Sequence, residues 1–338
     1  MKRRIIIEEA VGETRAAVYE AKLLVELYAR RWSDKSEPRA GDIFSGRITR
    51  IEKKMDAAFV DLGSIADGFL KFTNAQGAPH LTEGQYIQVL ITREAEQNKG
   101  AILKFHAVAN DKKIGPIKAK TLKEFLIDRF PDAKVDEAAV NAIEEAMAIE
   151  VAIPGGGDIA IESTRALTAV DVDKGYAVSG FDVSMAACDV IAREIRRRNL
   201  GGLFVIDFPN LRQARQREKL YDTICTSFET DPNTVKIAPV SRFGTVELTR
   251  AKTGRSLEEL MLDSAGYPTV ETQALRALRV LEREGRSSPG AKLVLSVPDV
   301  VFNWLKAKHI DWEQSISERL GARFEIAIGD EVDVSSDR

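Results

Sequence analysis

The chain has 338 residues, of which 44% are hydrophobic, and a net charge of −3. This length and apolar content allow more than one domain with a buried core and exclude a fibrous or disordered protein. Because the charge is nearly neutral, any nucleic-acid site must come from local basic groups. Two cysteines without a CxxC motif predict neither a disulfide nor a zinc knuckle. No apolar run could span a bilayer and no secretion signal is apparent, which predicts a cytoplasmic protein without membrane contact.

The first thirty residues contain one predicted strand and one ambiguous stretch. Residues 4–9 form a β-branched run that predicts a strand, and residues 11–13 follow as a turn. Residues 14–31 have the composition of a helix, yet their apolar residues alternate in a way that allows two further strands of a meander. Propensity alone favours the helix.

Residues 39–108 are predicted to form a five-stranded OB-fold barrel that binds nucleic acid. Phe59 and Phe69 lie on neighbouring predicted strands, where aromatic rings can stack on bases, and Arg93 and Lys99 are basic neighbours suited to phosphates. The alternative is that both phenylalanines are ordinary barrel core.

The rest of the chain is predicted to alternate helices and strands. After a polar link, residues 118–130 and 136–147 have helical spacing. Further strands and helices follow to residue 328, and residues 332–338 are predicted to be frayed. The apolar run at 203–208 predicts a strand in a sheet covered on both faces. Three clusters of basic residues are predicted to be solvated surface: 196–198; 212, 215 and 217; and 250, 252 and 255.

Three aspartates are the candidate catalytic residues. Asp171 and Asp173 are two apart at the end of a predicted strand, so they share a face, and Asp207 ends the apolar strand that should lie nearby. Carboxylates without histidine or cysteine suit Mg²⁺ or Mn²⁺, and such a site predicts phosphodiester hydrolysis. The alternative is that Asp171 or Asp173 caps a turn before Gly175.

Four segments resemble the bacterial ribonuclease E/G family, in the same order: SGRITRIEKKMDAAFVDLG, ALTAVDVDKG, NLGGLFVIDF and SRFGTVELTRAKTGRSL. The resemblance implies a Mg²⁺-dependent endoribonuclease of single-stranded RNA with a mixed α+β fold. In that fold an RNase H-like section (1–38) is interrupted by the OB-fold barrel (39–108). A reduced sensor region and the return of the RNase H-like section (109–165), a DNase I-like catalytic section (166–262) and a small C-terminal domain (263–338) follow. It also favours the meander over the helix at residues 14–31.

The resemblance assigns roles to individual residues. Asp171 and Asp207 match the two metal-binding aspartates of the family, and Phe59, Phe69 and Lys99 match barrel positions that hold RNA. Asp173 stands where the family usually has asparagine, so its added charge is expected to alter metal affinity.

Two parts of the family pattern are missing. Residues 260–272 contain no CPxC zinc motif, so no zinc is expected and any homo-oligomer would not be zinc-linked. About forty residues, 109–147, stand in place of the long sensor for 5′-monophosphate ends. The chain is therefore interpreted as a compact form of the family.

Three hypotheses for function follow. The first is a metal-dependent endoribonuclease, and the alternative is a non-catalytic RNA-binding protein derived from the same family. A third, a role of the barrel in protein interaction alone, leaves the catalytic segments without a purpose.

Overall fold

The structure is a computed structural model that describes residues 2–34, 37–78, 80–95, 99–177, 179–209, 211 and 213–337. The basic residue at 212 and the terminal residue 338 lie outside the described residues. The strands are β1 Arg3–Ala10, β2 Glu13–Glu20, β3 Leu23–Arg31, β4 Ile43–Glu52, β5 Ala57–Asp61, β6 Gly68–Lys71, β7 Tyr86–Arg93, β8 Ile102–Val108, β9 Gly115–Lys118, β10 Lys134–Glu137, β11 Glu150–Ala152, β12 Asp158–Ser163, β13 Thr168–Asp173, β14 Gly202–Asp207, β15 Val235–Ile237, β16 Thr245–Arg250, β17 Lys292–Val297, β18 Phe324–Ile328 and β19 Asp333–Asp337. The helices are α1 Leu122–Arg129, α2 Ala142–Glu145, α3 Gly180–Arg197, α4 Ala214–Phe228, α5 Leu257–Met261, α6 Val270–Ser287, α7 Asp299–Lys306 and α8 Trp312–Leu320.

The described chain forms two compact units. One contains residues 17–27 and 141–257, and the other contains the described residues of 2–16, 28–140 and 258–337. The domain boundaries predicted from the sequence stay predictions.

The first unit is built on a six-stranded sheet in the order β11-β12-β13-β14-β16-β15. β13 and β14 run parallel and are joined through α3, whereas the other four neighbouring pairs in the sheet are antiparallel. The Ser179 side chain accepts the Asp182 N–H and caps the start of α3. Apolar residues of α3 and α4, such as Ile191 and Ile224, pack with Phe204 and Ile206 of β14 in one core. These helices cover one face of the sheet.

The sequence-based prediction that both faces of β14 are covered is wrong. Phe204 and Ile206 are buried, while Leu203 and Asp207 are exposed. Successive side chains of a strand point to opposite faces, so burial that alternates in this way leaves the second face of β14 accessible to solvent.

The barrel of the second unit is closed by five strands. β5, β6, β8, β7 and β4 are neighbours in that order, and β4 also pairs with β5. Its core contains Phe44, Ile48, Val60, Leu70 and Leu103. β9 adds a sixth strand by pairing with β4, which extends the sheet beyond the predicted boundary at residue 108.

A second sheet has the order β10-β1-β2-β3 and corrects two predictions. Residues 14–31 form β2 and β3 and not the helix that propensity favoured, so the meander implied by the family resemblance is confirmed. Residues 134–137 form β10 parallel to β1, and only the short α2 remains of the helix predicted at 136–147. β10 has only four residues, too few to show a clear alternation in the sequence.

The C-terminal residues form a three-stranded sheet, β18-β17-β19, packed with α6, α7 and α8 around Leu278 and Trp312. β17 and β18 lie within the stretch to residue 328 where the sequence predicts alternating helices and strands. Residues 333–337 form β19 against β17, so the prediction that residues 332–338 are frayed is wrong for this segment. Most residues of β19 are small and polar, so strand propensity does not predict a strand there.

Several arginines predicted to be solvated are buried in ion pairs. Arg196 contacts Glu20 and Glu26 at 3.0 and 2.8 Å, and Arg198 contacts Glu194 at 3.2 Å. Arg250 contacts Asp231 at 2.8 Å. Because buried charges need partners, these arginines hold structure together and are not a free basic surface.

The architecture confirms the predicted mixed α+β fold with an OB-like barrel. Within the described ranges, no helix is both long and apolar enough to cross a membrane.

Candidate functional site

The parallel pairing of β13 and β14 brings two of the predicted aspartates together. Asp171 is the register partner of Asp207. Register partners on adjacent strands point to the same face and lie about 5 Å apart along the sheet. The sequence placed these two residues 36 positions apart, and the α3 crossover joins them.

Both aspartates point away from the hydrophobic core. Val170 and Val172, which flank Asp171, are buried against the helices, and Ile206 is buried beside Asp207. Alternation therefore places Asp171 and Asp207 on the open face, where both are exposed. The apolar half of each strand fixes the backbone, and the acidic half is free to bind a ligand.

The electrostatics of this face favour a cation. Partial burial and the carboxylates of Asp207 and Asp173 raise the pKa of Asp171 above its ordinary value. Like charges that are close together disfavour each other's ionised form, and a divalent ion would remove that repulsion. Exposed oxygen ligands of this kind suit Mg²⁺, which commonly uses one or two carboxylates and keeps several waters.

The Asp173 side chain caps the turn that follows β13. Its Oδ1 accepts the Gly175 N–H at 2.8 Å, which is the turn-capping arrangement considered as the alternative in the sequence. An asparagine Oδ1 could accept the same hydrogen bond. The substitution of aspartate for the usual asparagine therefore preserves the turn and adds charge to the open face.

Sequence reasoning missed a fourth carboxylate on this face. Asp158 at the start of β12 is the register partner of Asp173, and its charge contributes to the raised pKa of Asp171. The alternation of Asp158, Ala160 and Glu162 with buried Ile159 and Ile161 was the available signal. Among the residues that the structure describes, no three His, Cys, Asp or Glu side chains are grouped closely enough to form a metal cage. Asp171 and Asp207 are the two residues here that could hold an ion, with water completing its coordination.

The barrel presents its two candidate aromatics on its outer surface. Phe59 and Phe69 are register partners on β5 and β6, and their ring centroids lie 5.6 Å apart in an edge-to-face arrangement. The residues next to Phe59, Ala58 and Val60, are fully buried, as is Leu70 after Phe69. Both phenylalanines therefore point away from the barrel core.

A row of side chains extends across five strands at this level. Arg50 pairs with Phe59, and its guanidinium lies over that ring at 4.5 Å. Phe69 pairs with Ile102, which in turn pairs with Arg93. The row Arg50, Phe59, Phe69, Ile102 and Arg93 thus combines two rings with a basic residue at each end. Arg50 and Ile102 were not identified from the sequence, because only the register reveals that they share the row.

Lys99 is exposed three residues before β8. It precedes Gly100, where a Cβ atom would lie 1.7 Å from the carbonyl oxygen of Asp67. Glycine is therefore required for the close approach of this segment to the residues just before β6. That approach brings Lys99 near the strand that carries Phe69.

Comparisons with known proteins agree with the segments identified in the sequence. The Ribonuclease E/G family model matches residues 94–253. Ribonuclease E of Escherichia coli is 24% identical over an alignment covering 90% of this chain and 42% of that protein. Ribonuclease E of Synechocystis is 34% identical, covering 48% of this chain and 24% of the relative, and ribonuclease G of E. coli is 26% identical, covering 57% and 41%.

The alignments also show where the chain is short. It spans less than half the length of the ribonuclease E proteins of E. coli and Haemophilus influenzae. The E. coli alignment extends over 453 positions, which is more than the 338 residues of this chain, so many internal positions of the relative have no counterpart here. The four ordered segments, the family match and these relatives lead to one conclusion: the chain is similar to the ribonuclease E/G family, in a compact form.

Proposed function

We propose that this chain is a Mg²⁺-dependent endoribonuclease that hydrolyses phosphodiester bonds in single-stranded RNA. The observation that carries the proposal is the register of β13 and β14, which pairs Asp171 with Asp207 on an open sheet face. Relatives named ribonuclease E and ribonuclease G supply the reaction class.

Asp171 and Asp207 would hold the ion, since both are exposed and each lies beside the other on rigid strands. A bound divalent ion supplies an activated water and stabilises the charge that develops on the phosphate. Asp173 shapes the adjoining turn through Gly175 and adds negative charge next to the pair. Mn²⁺ satisfies the same oxygen ligands.

The barrel row would bind the RNA chain. Phe59 and Phe69 offer ring surfaces to unstacked bases, and base stacking on aromatic side chains does not depend on sequence. Arg50, Arg93 and Lys99 would contact phosphates. Splayed bases are available only in single strands, which is why the proposal names single-stranded RNA.

The test is incubation of the purified protein with labelled single-stranded RNA in Mg²⁺ and in EDTA. We expect internal cleavage that requires Mg²⁺ and is lost in Asp207→Asn. Asp222→Asn is the matched control, because Asp222 is exposed on α4, whose apolar side packs on the opposite sheet face. Cleavage that persists in EDTA would contradict the metal site, and RNA binding without any cleavage would identify the chain as the non-catalytic RNA-binding relative.

A further inference from the structure

Two fully exposed aromatic rings lie at the sheet edge that carries the aspartates. Tyr176 has a relative exposure of 107% and Phe243 of 91%. Tyr176 follows the end of β13, and Phe243 precedes the start of β16. β14, which ends at Asp207, lies between these two strands in the sheet. The strands that flank β14 are about 10 Å apart, because adjacent strands are separated by roughly 4.8 Å.

Each ring is presented by a short hydrogen-bonded turn. In the turn of Tyr176, the Ala177 N–H donates to the Lys174 carbonyl at 3.0 Å, and the Lys174 Nζ donates to the Ala177 carbonyl at 3.2 Å. The Gly175 N–H donates to Asp173 at the base of this turn, and Gly175 has a positive φ of 52°. The backbone under Tyr176 is therefore held in place although the ring itself is in solvent.

The turn of Phe243 is held in the same manner. The Ser241 N–H donates to the Thr245 carbonyl at 2.9 Å, and the Phe243 N–H donates to the Ser241 hydroxyl at 3.2 Å. Gly244 is pressed against the end of β14, where an added Cβ would lie 2.9 Å from the Phe208 carbonyl. Phe243 is thus one residue from a backbone contact with the residue that follows Asp207.

The charge of the neighbouring face limits how RNA can be bound there. Register partners place Asp158, Asp171, Asp173 and Asp207 on one face, and Glu247 on β16 pairs with Val205 of β14 on that same face. Away from a bound divalent ion these carboxylates repel phosphates, so a contact that does not depend on phosphate charge is favoured there. Stacking of a base on an aromatic ring supplies affinity without a positive charge.

We propose that Tyr176 and Phe243 form a second base-stacking site that holds unstacked nucleotides of single-stranded RNA on either side of Asp207. This site rests on the proposed function for its ligand class, and it is separate from the barrel row. Its two rings position the RNA strand beside the aspartates. Because the turns are already ordered, little conformational entropy is lost when a base stacks on them.

The test measures how ring variants of the protein bind an intact RNA and RNAs that lack one base. Tyr176→Ala and Phe243→Ala are placed in the full chain carrying Asp207→Asn, so that RNA binds in Mg²⁺ without being cut. Binding is measured with a fluorescent oligoribonucleotide and with a series of the same oligonucleotide in which one position at a time is abasic. We expect each alanine variant to weaken binding of the intact RNA on the order of tenfold. For each ring, one abasic position should weaken binding to the parent by a similar factor, and the alanine change at that ring should add no further loss with that RNA.

Conservative variants separate stacking from general apolarity. Tyr176→Phe and Phe243→Tyr should retain binding, whereas Phe243→Leu should lose it because leucine has no flat ring. Tyr267→Ala is the control, since Tyr267 is exposed in a hydrogen-bonded turn of the other unit. The ring variants are expected to melt at the parent temperature, because exposed rings leave the core unchanged.

The outcomes distinguish this inference from the proposed function. Equal losses for every abasic RNA, or no loss in either alanine variant, would overturn the stacking site even if the wild-type chain cleaves RNA. A wild-type chain that cleaves no RNA, together with ring-dependent loss at one abasic position, would overturn the proposed catalysis and support the stacking site.

Discussion

At the scale of single residues, the open face of the sheet separates roles among neighbouring acids. Asp171 and Asp207 are exposed register partners, whereas one oxygen of Asp173 is engaged by the backbone N–H of Gly175. Asp158 opposes Asp173 on β12 and adds to the negative potential. The same residue type thus lies exposed on the open face, shapes a turn or adds charge, depending on its position and contacts.

The metal assignment predicts non-additive mutations. If Asp171 and Asp207 hold one ion, Asp171→Asn and Asp207→Asn should each remove most cleavage and leave RNA binding largely intact. The double mutant should be no slower than either single mutant, because either change already destroys the site. Single-turnover cleavage at saturating Mg²⁺ measures this. A single mutant with near wild-type turnover would contradict a shared site.

Asp173→Asn tests the extra charge by itself. The asparagine can keep the hydrogen bond to Gly175, so the turn should survive while one negative charge is removed. We expect the Mg²⁺ concentration for half-maximal activity to rise without loss of turnover at saturation. Mg²⁺ titration of the initial rate is the measurement. An inactive Asp173→Asn protein with an unchanged melting temperature would instead make Asp173 an essential ligand.

At the scale of elements, register turns scattered residues into surfaces. The barrel row depends on four strand pairings that bring Arg50, Phe59, Phe69, Ile102 and Arg93 to one level. Glu13, the first residue of β2, forms salt bridges with the buried side chains of Arg15, Arg31 and Arg279. The barrel row is suited to a ligand, and the buried Glu13 cluster stabilises the fold.

Replacing Phe59 or Phe69 by alanine should weaken single-stranded RNA binding by about 1–3 kcal/mol for each lost stack. Because both rings point out of the barrel core, we expect the loss in stability to be smaller than the 3–5 kcal/mol typical of a buried phenylalanine. Binding titrations are to be accompanied by thermal melts. Lys99→Ala should instead reduce the salt dependence of binding, since one phosphate contact is lost. A melted barrel in the phenylalanine variants would favour the core interpretation.

The Glu13 cluster predicts a pH-dependent contribution to stability. Burial by itself raises the pKa of Glu13, but the charges of Arg15, Arg279 and Arg31 outweigh it and hold the pKa below the ordinary value of 4.5. The unfolded state therefore binds the proton more readily than the folded state. The cluster stabilises the fold fully above about pH 4.5, and this stabilisation is lost as the pH falls through the folded-state pKa.

Urea unfolding of Glu13→Gln should show this contribution. We expect the variant to lose about 3–5 kcal/mol near neutral pH, because three buried arginines lose their shared carboxylate. Its stability should also fall less steeply than that of the wild type as the solution is acidified. Glu9→Gln on the exposed side of β1 is the control. Parallel pH profiles for wild type and Glu13→Gln would contradict the assignment.

At the scale of the whole molecule, the chain carries the barrel and the aspartate sheet with little between them in sequence. Residues 109–147 contribute β9 to the barrel sheet, β10 to the β1 sheet and two short helices. This segment is therefore used to complete neighbouring structure. Long internal stretches of E. coli ribonuclease E have no counterpart here, so the chain is compact compared with that relative.

The short connecting segment predicts indifference to the 5′ end of the RNA. A dedicated terminal pocket would use binding energy from the end group to place the chain in the catalytic groove. We expect 5′-hydroxyl, 5′-monophosphorylated and circular RNAs of one internal sequence to be cleaved at similar rates. Competition assays with the three substrates measure this. A clear preference for the 5′-monophosphate would show that another cluster senses the end; Arg196 and Arg198, buried in ion pairs, are poor candidates.

Local periodic patterns allowed much of the fold to be predicted from the sequence. Alternations or apolar runs within a few residues mark the barrel strands, the strands on either side of α3, and β17 and β18. The predicted fold class was confirmed. The ordered family segments also pointed to Asp171 and Asp207. What they could not provide is the row of barrel residues or the contribution of Asp158, because each requires knowing which strands pair.

The sequence by itself determined the spacing of acids and apolar residues along each strand, and hence which side chains share a face. Only the tertiary structure decided that Asp171 opposes Asp207, that residues 134–137 pair with β1, and that Arg196 is buried with Glu20 and Glu26. The physical reason is that alternation is a property of a few consecutive residues, whereas register and burial depend on partners that are distant in the sequence. A short polar strand or a charged helix face therefore acquires its role only when that distant partner is in place.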